Sequence, residues 1–358
     1  DVFIDGFQKK LKEEEHIDDM KAEEVSHQVW QIIEDGSRYS FNASHAYSVA
    51  LDSLYEAWLK TYHPLEFYET YLNILNKKGA KDRLNKFKEE AEHYFHITFP
   101  PYRFRQDNRT ITIDKEHNAI NNALSSIKNY SNNTAESLYN CGQETKTFIE
   151  ALKYLNKRSI KSAMIIPLTK IGYFSEFGNE NALLTFINYW DMLKQGTAKQ
   201  VSKEKADKLL SQLLPSYATD KKKDGTEAKS WTVTNIHGLL EDIYQYCITN
   251  CDEPTFKKKM AWQKEVLDYI ELTTCKKEDI KRVLILDVKP LIGQYSPDPW
   301  CYKVETRSIG TGRTASLNID ARAWKMFGEL TPMSIIKVVT VNKNNKGYWY
   351  IRDYIKEN

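Results

Sequence analysis

No apolar run in the chain reaches the roughly 18 residues that a membrane span requires. The opening residues, DVFIDGFQKKLKEEE, also lack the basic-then-apolar pattern of a secretion signal. A soluble, cytoplasmic protein is the expectation. Cysteine is sparse and odd in number, with Cys141, Cys247, Cys251, Cys275 and Cys301 scattered over the length. That fits reduced thiols better than a disulfide framework. Neither sign of charge is in surplus: 51 Lys and Arg stand against 49 Asp and Glu, for a formal charge of +2. Composition alone therefore does not mark a nucleic-acid binder, and any basic surface must be local. There is no internal repeat and no low-complexity tract. A nucleophile elbow and a glycine-rich oxyanion loop are both missing, which argues against an independent hydrolase.

What is present is length and aromatic content. The 358 residues suffice for two to four units with separate cores, and 22 Tyr with 8 Trp supply flat side chains for packing or for stacking on bases. The chain begins at Asp1, already inside a helical pattern, and reads as a piece of a longer polypeptide. Four regions are expected: 1–98, 99–190, 191–280 and 281–358. The first is helical throughout, with Val25, Val29, Ile32 and Ile33, then Ala50, Leu51, Leu54, Tyr55, Trp58 and Leu59, at spacings of three and four. His63-Pro64 interrupts that pattern and restarts it, because proline fits the first turn of a helix. The stiff connector FPPYRF follows at 99–104, then a short strand at 110–113. Short helices with abrupt turns fill 117–190, and a more polar helical connector fills 191–280.

From Lys281 the character changes. RVLILDVKPLI, WCYKVETRSI and TASLNI read as strands, ARAWKMF as a helix, and SIIKVVTV and GYWYIRDYI as two further strands. Three strands, a helix and two strands is the order of the oligonucleotide-binding barrel. Residues 282–358 hold 12 Lys and Arg against 7 Asp and Glu, so a net +5 is concentrated there. The fold expected is multidomain and mainly α, ending in an OB-type β-barrel. In the barrel Trp300, Tyr302, Lys303, Arg307 and Arg313 are the expected nucleic-acid contacts, with Tyr348 and Tyr350 on the closing strand. Strand alternation requires about half of these to be core.

The stretch YSFNASH at 39–45 is a helix entrance. Ser40, Asn42 and Ser44 are residue types that cap exposed backbone N–H groups, and such an entrance serves either as a plain cap beside a packed Phe41 or as an anion site. Cys247 and Cys251 stand one helical turn apart, with His237 and Cys275 at a distance, which without a second matching pair reads as buried thiols before zinc.

The longer stretch GSRYSFNASHAYSVALDSLYEAWLKTYHPLEFYETYL resembles the fingers segment of the C-family bacterial replicative DNA polymerases, the DNA polymerase III alpha subunits. Gly36, Tyr39, Phe41-Asn42-Ala43-Ser44-His45, Trp58-Leu59-Lys60 and His63-Pro64-Leu65-Glu66-Phe67 carry the likeness. Upstream, Phe3, Gly6 and Trp30 resemble the helix pair that leads into this motif. The sequence departs at Ala43, where the family has lysine. The resemblance implies that Asn42, Ser44 and His45 line a nucleotide pocket, and that Lys60 is either a phosphate contact or a solvated lysine on the helix face. It further implies that NNALSSIKNYSNNTAESLYNC is a helix-hairpin-helix-like region, with Lys128, Asn129, Ser131 and Asn132 at the DNA-binding turn. Both glycines of that turn are replaced, and asparagine is the residue that best tolerates the positive φ they supply. Lys170, Gly172, Phe174, Gly178 and Asn179 match the family's next segment, with Lys170 an expected DNA contact. Residues 261–274 resemble the linker before the barrel, and Gln212 to Tyr217 is the nearest match to a sliding-clamp peptide.

By the same resemblance, the catalytic aspartates and their Mg2+ belong to a palm upstream of the fingers, so no catalytic or metal-binding residue is expected here. Asp18-Asp19, the one adjacent aspartate pair, lies in a charged helical run. The expected function is the DNA-binding C-terminal portion of a replicative DNA polymerase, holding primer–template duplex and single-stranded template. The alternative is a non-enzymatic replisome module that docks a sliding clamp or a single-strand-binding protein.

Overall fold

The computed structural model describes residues 2–39, 43–193, 200–221, 226–293 and 297–357. Two units partition the chain, Asp1–Tyr68 and Glu69–Asn358. The first holds helices α1 (Val2–Glu13), α2 (Asp19–Tyr39) and α3 (Ala43–Tyr62) and the start of α4 (Pro64–Lys77). α1 and α2 meet through aromatic rings, Phe3 lying 5.3 Å from Trp30 and 5.8 Å from Phe7. Ala22 and Ser26 are buried, and the Ser26 hydroxyl donates to the Ala22 carbonyl at 2.6 Å, which satisfies a polar group inside a helix. Asp18 accepts the Lys21 N–H at 3.0 Å, and Asp19 pairs with Lys12 at 2.9 Å, so both aspartates serve local structure. Pro64 takes the first position of α4, where no N–H is needed, while the Phe67 N–H bonds the His63 carbonyl at 3.0 Å.

The second unit continues through α5 (Lys81–Phe95) to a hairpin of β1 (Thr112–Asp114) and β2 (Ala119–Asn121). The strand expected at 110–113 thus forms slightly later in the chain. Next come α6 (Asn132–Glu144), α7 (Phe148–Lys157), α8 (Ser162–Lys170) and α9 (Glu180–Leu193). α7 opens with a full capping box: Thr147 accepts the Glu150 N–H at 3.2 Å, and Glu150 accepts the Thr147 N–H at 3.2 Å. The connector is fastened to α6 by close approach. A Cβ on Gly142 would lie 3.1 Å from the Arg105 Cα, so glycine is what admits the connector backbone, and the Arg105 guanidinium donates to the Gly142 carbonyl.

One hydrophobic core runs from Tyr102 to Leu267. Its centre is aromatic, with Phe174 at 5.2 Å from Phe104 and 5.5 Å from Phe148, and Phe186 at 6.0 Å from Phe148. α9 feeds it Ala182, Leu183, Phe186, Ile187, Trp190 and Leu193, one apolar stripe at helical spacing. A small antiparallel sheet, unforeseen in the sequence reading, follows: β3 (Gln200–Ser202), then helix α10 (Lys208–Tyr217), then β4 (Ala218–Lys221) and β5 (Glu227–Val233), in the order β3-β5-β4. α11 (Ile236–Asn250) and α12 (Phe256–Leu267) complete this part.

The C-terminal region contains every expected element: β6 (Arg282–Ile292), β7 (Pro299–Ser308), β8 (Thr314–Asp320), α13 (Ala321–Phe327), β9 (Ile335–Lys343) and β10 (Trp349–Glu357). The strands close into a five-stranded barrel of order β10-β8-β7-β6-β9, with β9 paired back to β10. All pairs are antiparallel except β8 with β10. Val283, Ile285, Val304, Ile319, Ile336, Ile351 and Tyr354 fill the interior. Among the described residues no helix is long and apolar enough to cross a membrane.

Candidate nucleic-acid interface

Ser44 and His45 are exposed on the first turn of α3, and Asn42 lies outside the described residues. The Ser44 carbonyl accepts the Ser48 hydroxyl at 2.9 Å, a bond of the helix itself. Lys60, near the other end of α3, places its ammonium 5.8 Å from the Tyr68 ring centroid.

The turn at residues 128–132 is built as the residue types dictate. Asn129 adopts φ 71°, the left-handed backbone that the missing glycine would supply. Tyr130 turns inward, is buried, and donates its hydroxyl to the Met164 carbonyl. Burial pushes its phenol pKa up. Ser131 caps α6 by accepting the Thr134 N–H at 3.2 Å. Lys128, Asn129, Ser131 and Asn132 are all exposed, so a lysine, an amide and the N-terminus of a 13-residue helix share one open turn. That combination can receive a phosphate. Lys170 is differently placed. Its ammonium lies 2.6 and 2.8 Å from the two carboxylate oxygens of Glu265 on α12.

In the barrel the five expected contacts separate by environment. Trp300 is 56% exposed, and Lys303 and Arg313 are exposed as well. Tyr302 is half-buried, stacked on Trp324 of α13 at 3.9 Å and 11°. Arg307 is 7% exposed and donates to the Leu272 carbonyl at 2.9 Å. Desolvation lowers its pKa, with Glu92 and Glu271 opposing.

Strand register adds residues that sequence alone did not single out. Lys289 pairs with Lys303, Lys303 with Asn318, Asn318 with Tyr350, and Tyr350 with Asn342. Register partners share a sheet face, so a single row of two ammoniums, two amides and a phenol crosses all five strands. The row faces outward, since Val304 and Ile351 beside it point into the core. Arg352 sits 4.8 Å over the Tyr350 ring, and Lys343 5.7 Å from Trp349. Asp287 and Glu305 border the row, at 3.5 Å from Lys289 and 3.9 Å from Lys303. Exposed pairs of this kind hold a lysine weakly and leave it open to exchange for a phosphate. The only signal in the sequence was alternation, which gives the face but not the cross-strand neighbour.

The remaining motifs are absorbed by packing. Of the stretch Gln212 to Tyr217 on α10, Gln212 is exposed, Leu214 is buried, Leu213 packs against the core, and the Tyr217 hydroxyl donates to Asp242 at 2.5 Å. Cys247 is buried and its thiol is pushed up to about 12, mainly by desolvation and then by Cys251. Among the described residues no group of three or more His, Cys, Asp or Glu is arranged to hold a metal ion.

No family model matches the chain. It is, however, similar to curated DNA polymerase III alpha subunits. That of Aquifex aeolicus is 29% identical over 155 residues, covering 42% of this chain and 13% of that protein. That of Ureaplasma parvum is 26% identical over 164 residues, covering 45% and 17%, and that of Campylobacter jejuni 28% over 179 residues, covering 49% and 14%. The matched part thus spans 13–17% of the length of these relatives. The similarity is to a part of these DNA polymerase III alpha subunits.

Proposed function

We propose that this chain is a DNA-binding portion of a replicative DNA polymerase of the alpha-subunit type. In this reading the hairpin turn at 128–132 sits on duplex backbone, and the barrel is an OB-type domain that holds single-stranded template. The observation that carries it is the closed barrel with one parallel pair and, on its outer face, the row Lys289, Lys303, Asn318, Tyr350 and Asn342. Cations track a phosphate backbone while aromatic and amide groups take bases. Trp300 and Arg313, both exposed, are further groups this reading offers to nucleic acid. Tyr302 acts from behind the row, as a support of the barrel, whereas Arg307 lies on the same strand face as Lys303 and is covered by residues 269–274. At the start of α3, Ser44 and His45 are the groups this reading assigns to a nucleotide, beside Asn42. Catalysis, and the Mg2+ that serves it, belong to carboxylates that this reading places outside the chain.

Fluorescence anisotropy with a labelled oligothymidylate, titrated with salt, tests the proposal. Lys289→Ala and Lys303→Ala should each weaken binding and reduce the slope of log K against log salt by about 0.7. A chain that shows no salt-dependent binding, or variants with the parental slope, would remove the barrel from the interface.

A further inference from the structure

The outward side chains of β7 do not share one environment. Lys303, Glu305 and Arg307 alternate onto the same strand face, yet Lys303 is open to solvent and Arg307 is closed off. The cover is residues 269–274, the segment between α12 and the barrel. It is attached to the barrel by the Arg307 guanidinium on the Leu272 carbonyl and by the Thr274 N–H on the Ile309 carbonyl at 3.0 Å. It is attached to the helical side by Gln263, whose side-chain oxygen accepts the N–H groups of Glu271 and Leu272 at 3.1 and 2.9 Å. Its third fastening is Lys88 of α5, buried at 5% exposure between the rings of Phe99 and Tyr269, with centroids at 5.2 and 5.0 Å.

This last fastening is poorly compensated. The Lys88 ammonium donates to the Tyr269 hydroxyl at 2.9 Å, but its carboxylate partner, Glu271 Oε1, stands 3.7 Å away. That oxygen is buried without a hydrogen-bond partner among the described residues. Taking an ammonium and a carboxylate out of water costs more than such a loose pair returns. Desolvation accordingly drives the Lys88 pKa down. Opening the seam would return that desolvation cost.

We propose that residues 269–274 form a strap that covers Arg307 in this state and lifts when the barrel takes a longer nucleic-acid strand, adding Arg307 to the cationic stripe begun by Lys289 and Lys303. The gain in binding and the lifting on a nucleic acid rest on the barrel reading above, whereas the looseness of the strap does not. Opening exchanges the Leu272 carbonyl for a phosphate as the acceptor of the Arg307 guanidinium, so that the cation meets an anion in place of a neutral acceptor. Lys88 is then a positioning residue, acting on Arg307 through the strap.

Hydrogen exchange and oligothymidylate binding of the full chain test this together, in the parent, in Lys88→Met and in the milder Tyr269→Phe, which removes only the hydroxyl. Both variants should speed amide exchange in residues 269–274 by about tenfold. Both should bind an oligothymidylate of about 20 nucleotides roughly threefold tighter, a gain abolished by adding Arg307→Ala. In the parent, the same oligonucleotide should itself speed exchange in the strap. Parental exchange in both variants overturns the proposal, as does a strap that opens without any change in a measurable oligonucleotide affinity. A faster-exchanging strap in a chain whose parent binds no oligonucleotide supports the strap and sinks the barrel reading instead.

Discussion

α3 and α9 are alike as sequences and opposite in surroundings. Both carry large apolar residues at spacings of three and four. In α9 Leu183, Phe186, Ile187 and Trp190 are buried in the aromatic core. In α3 Tyr47, Leu54, Tyr55, Trp58, Leu59 and Tyr62 are exposed. Periodicity tells which face of a helix is apolar, and it does not tell what covers that face. The lesson bears on the family resemblance. Within the stretch from Gly36 to Phe67, where the motifs are most continuous, none of residues 44–63 is buried, so their choices are not explained by the core.

The comparison breaks most directly on stability. Phe186→Ala should cost about 3–5 kcal/mol in urea unfolding, because a filled aromatic site is emptied. Trp58→Ala should cost under about 1 kcal/mol, as an exposed substitution does. A Trp58 loss as large as that of Phe186 would mean that the α3 face is covered in solution. A smaller effect sharpens the same contrast at the turn of residues 128–132, where conformation and not burial sets the residue. Asn129→Ala should lose about 1 kcal/mol, because alanine keeps the β-carbon but loses the short polar side chain that lets asparagine tolerate the left-handed region, while Asn129→Gly should be neutral or better. Equal stabilities for the two variants would show that φ 71° is not held in solution.

The smallest effect is chemical. Burial raises the thiol of Cys141 to about 11 and that of Cys247 to about 12, whereas Cys275 is exposed. A thiol reagent used near neutral pH should therefore modify Cys275 rapidly and leave Cys141 and Cys247 protonated and protected until urea unfolds the chain. Prompt reaction of Cys247 in the folded chain would place the α11 side of the core among its looser parts.

Much of the architecture was legible because it rests on local signals. The barrel strands alternate, Pro64 marks a helix start, and Asn129 stands where glycine would otherwise be required. The sheet of β3, β4 and β5 was not legible, since a strand of three residues such as Gln200–Ser202 is too short to display a period. The interface was legible as a strand face but not as a row. Lys289 and Asn342 joined it only through register, which depends on bulges, among them one between Ile285 and Asp287. Arg307 shows the limit most plainly. Alternation groups it with Lys303, and only the tertiary course of residues 269–274 separates the two.

The parallel pairing of β8 with β10 has a consequence for biosynthesis. β10 lies between β8 and β9 in the closed order, so during translation both of those strands must wait with an unpaired edge until residues 349–357 have left the ribosome. Such edges invite pairing with neighbouring chains. A nascent chain stalled or clipped before Trp349 would carry a half-made sheet with two open edges, at β8 and at β9.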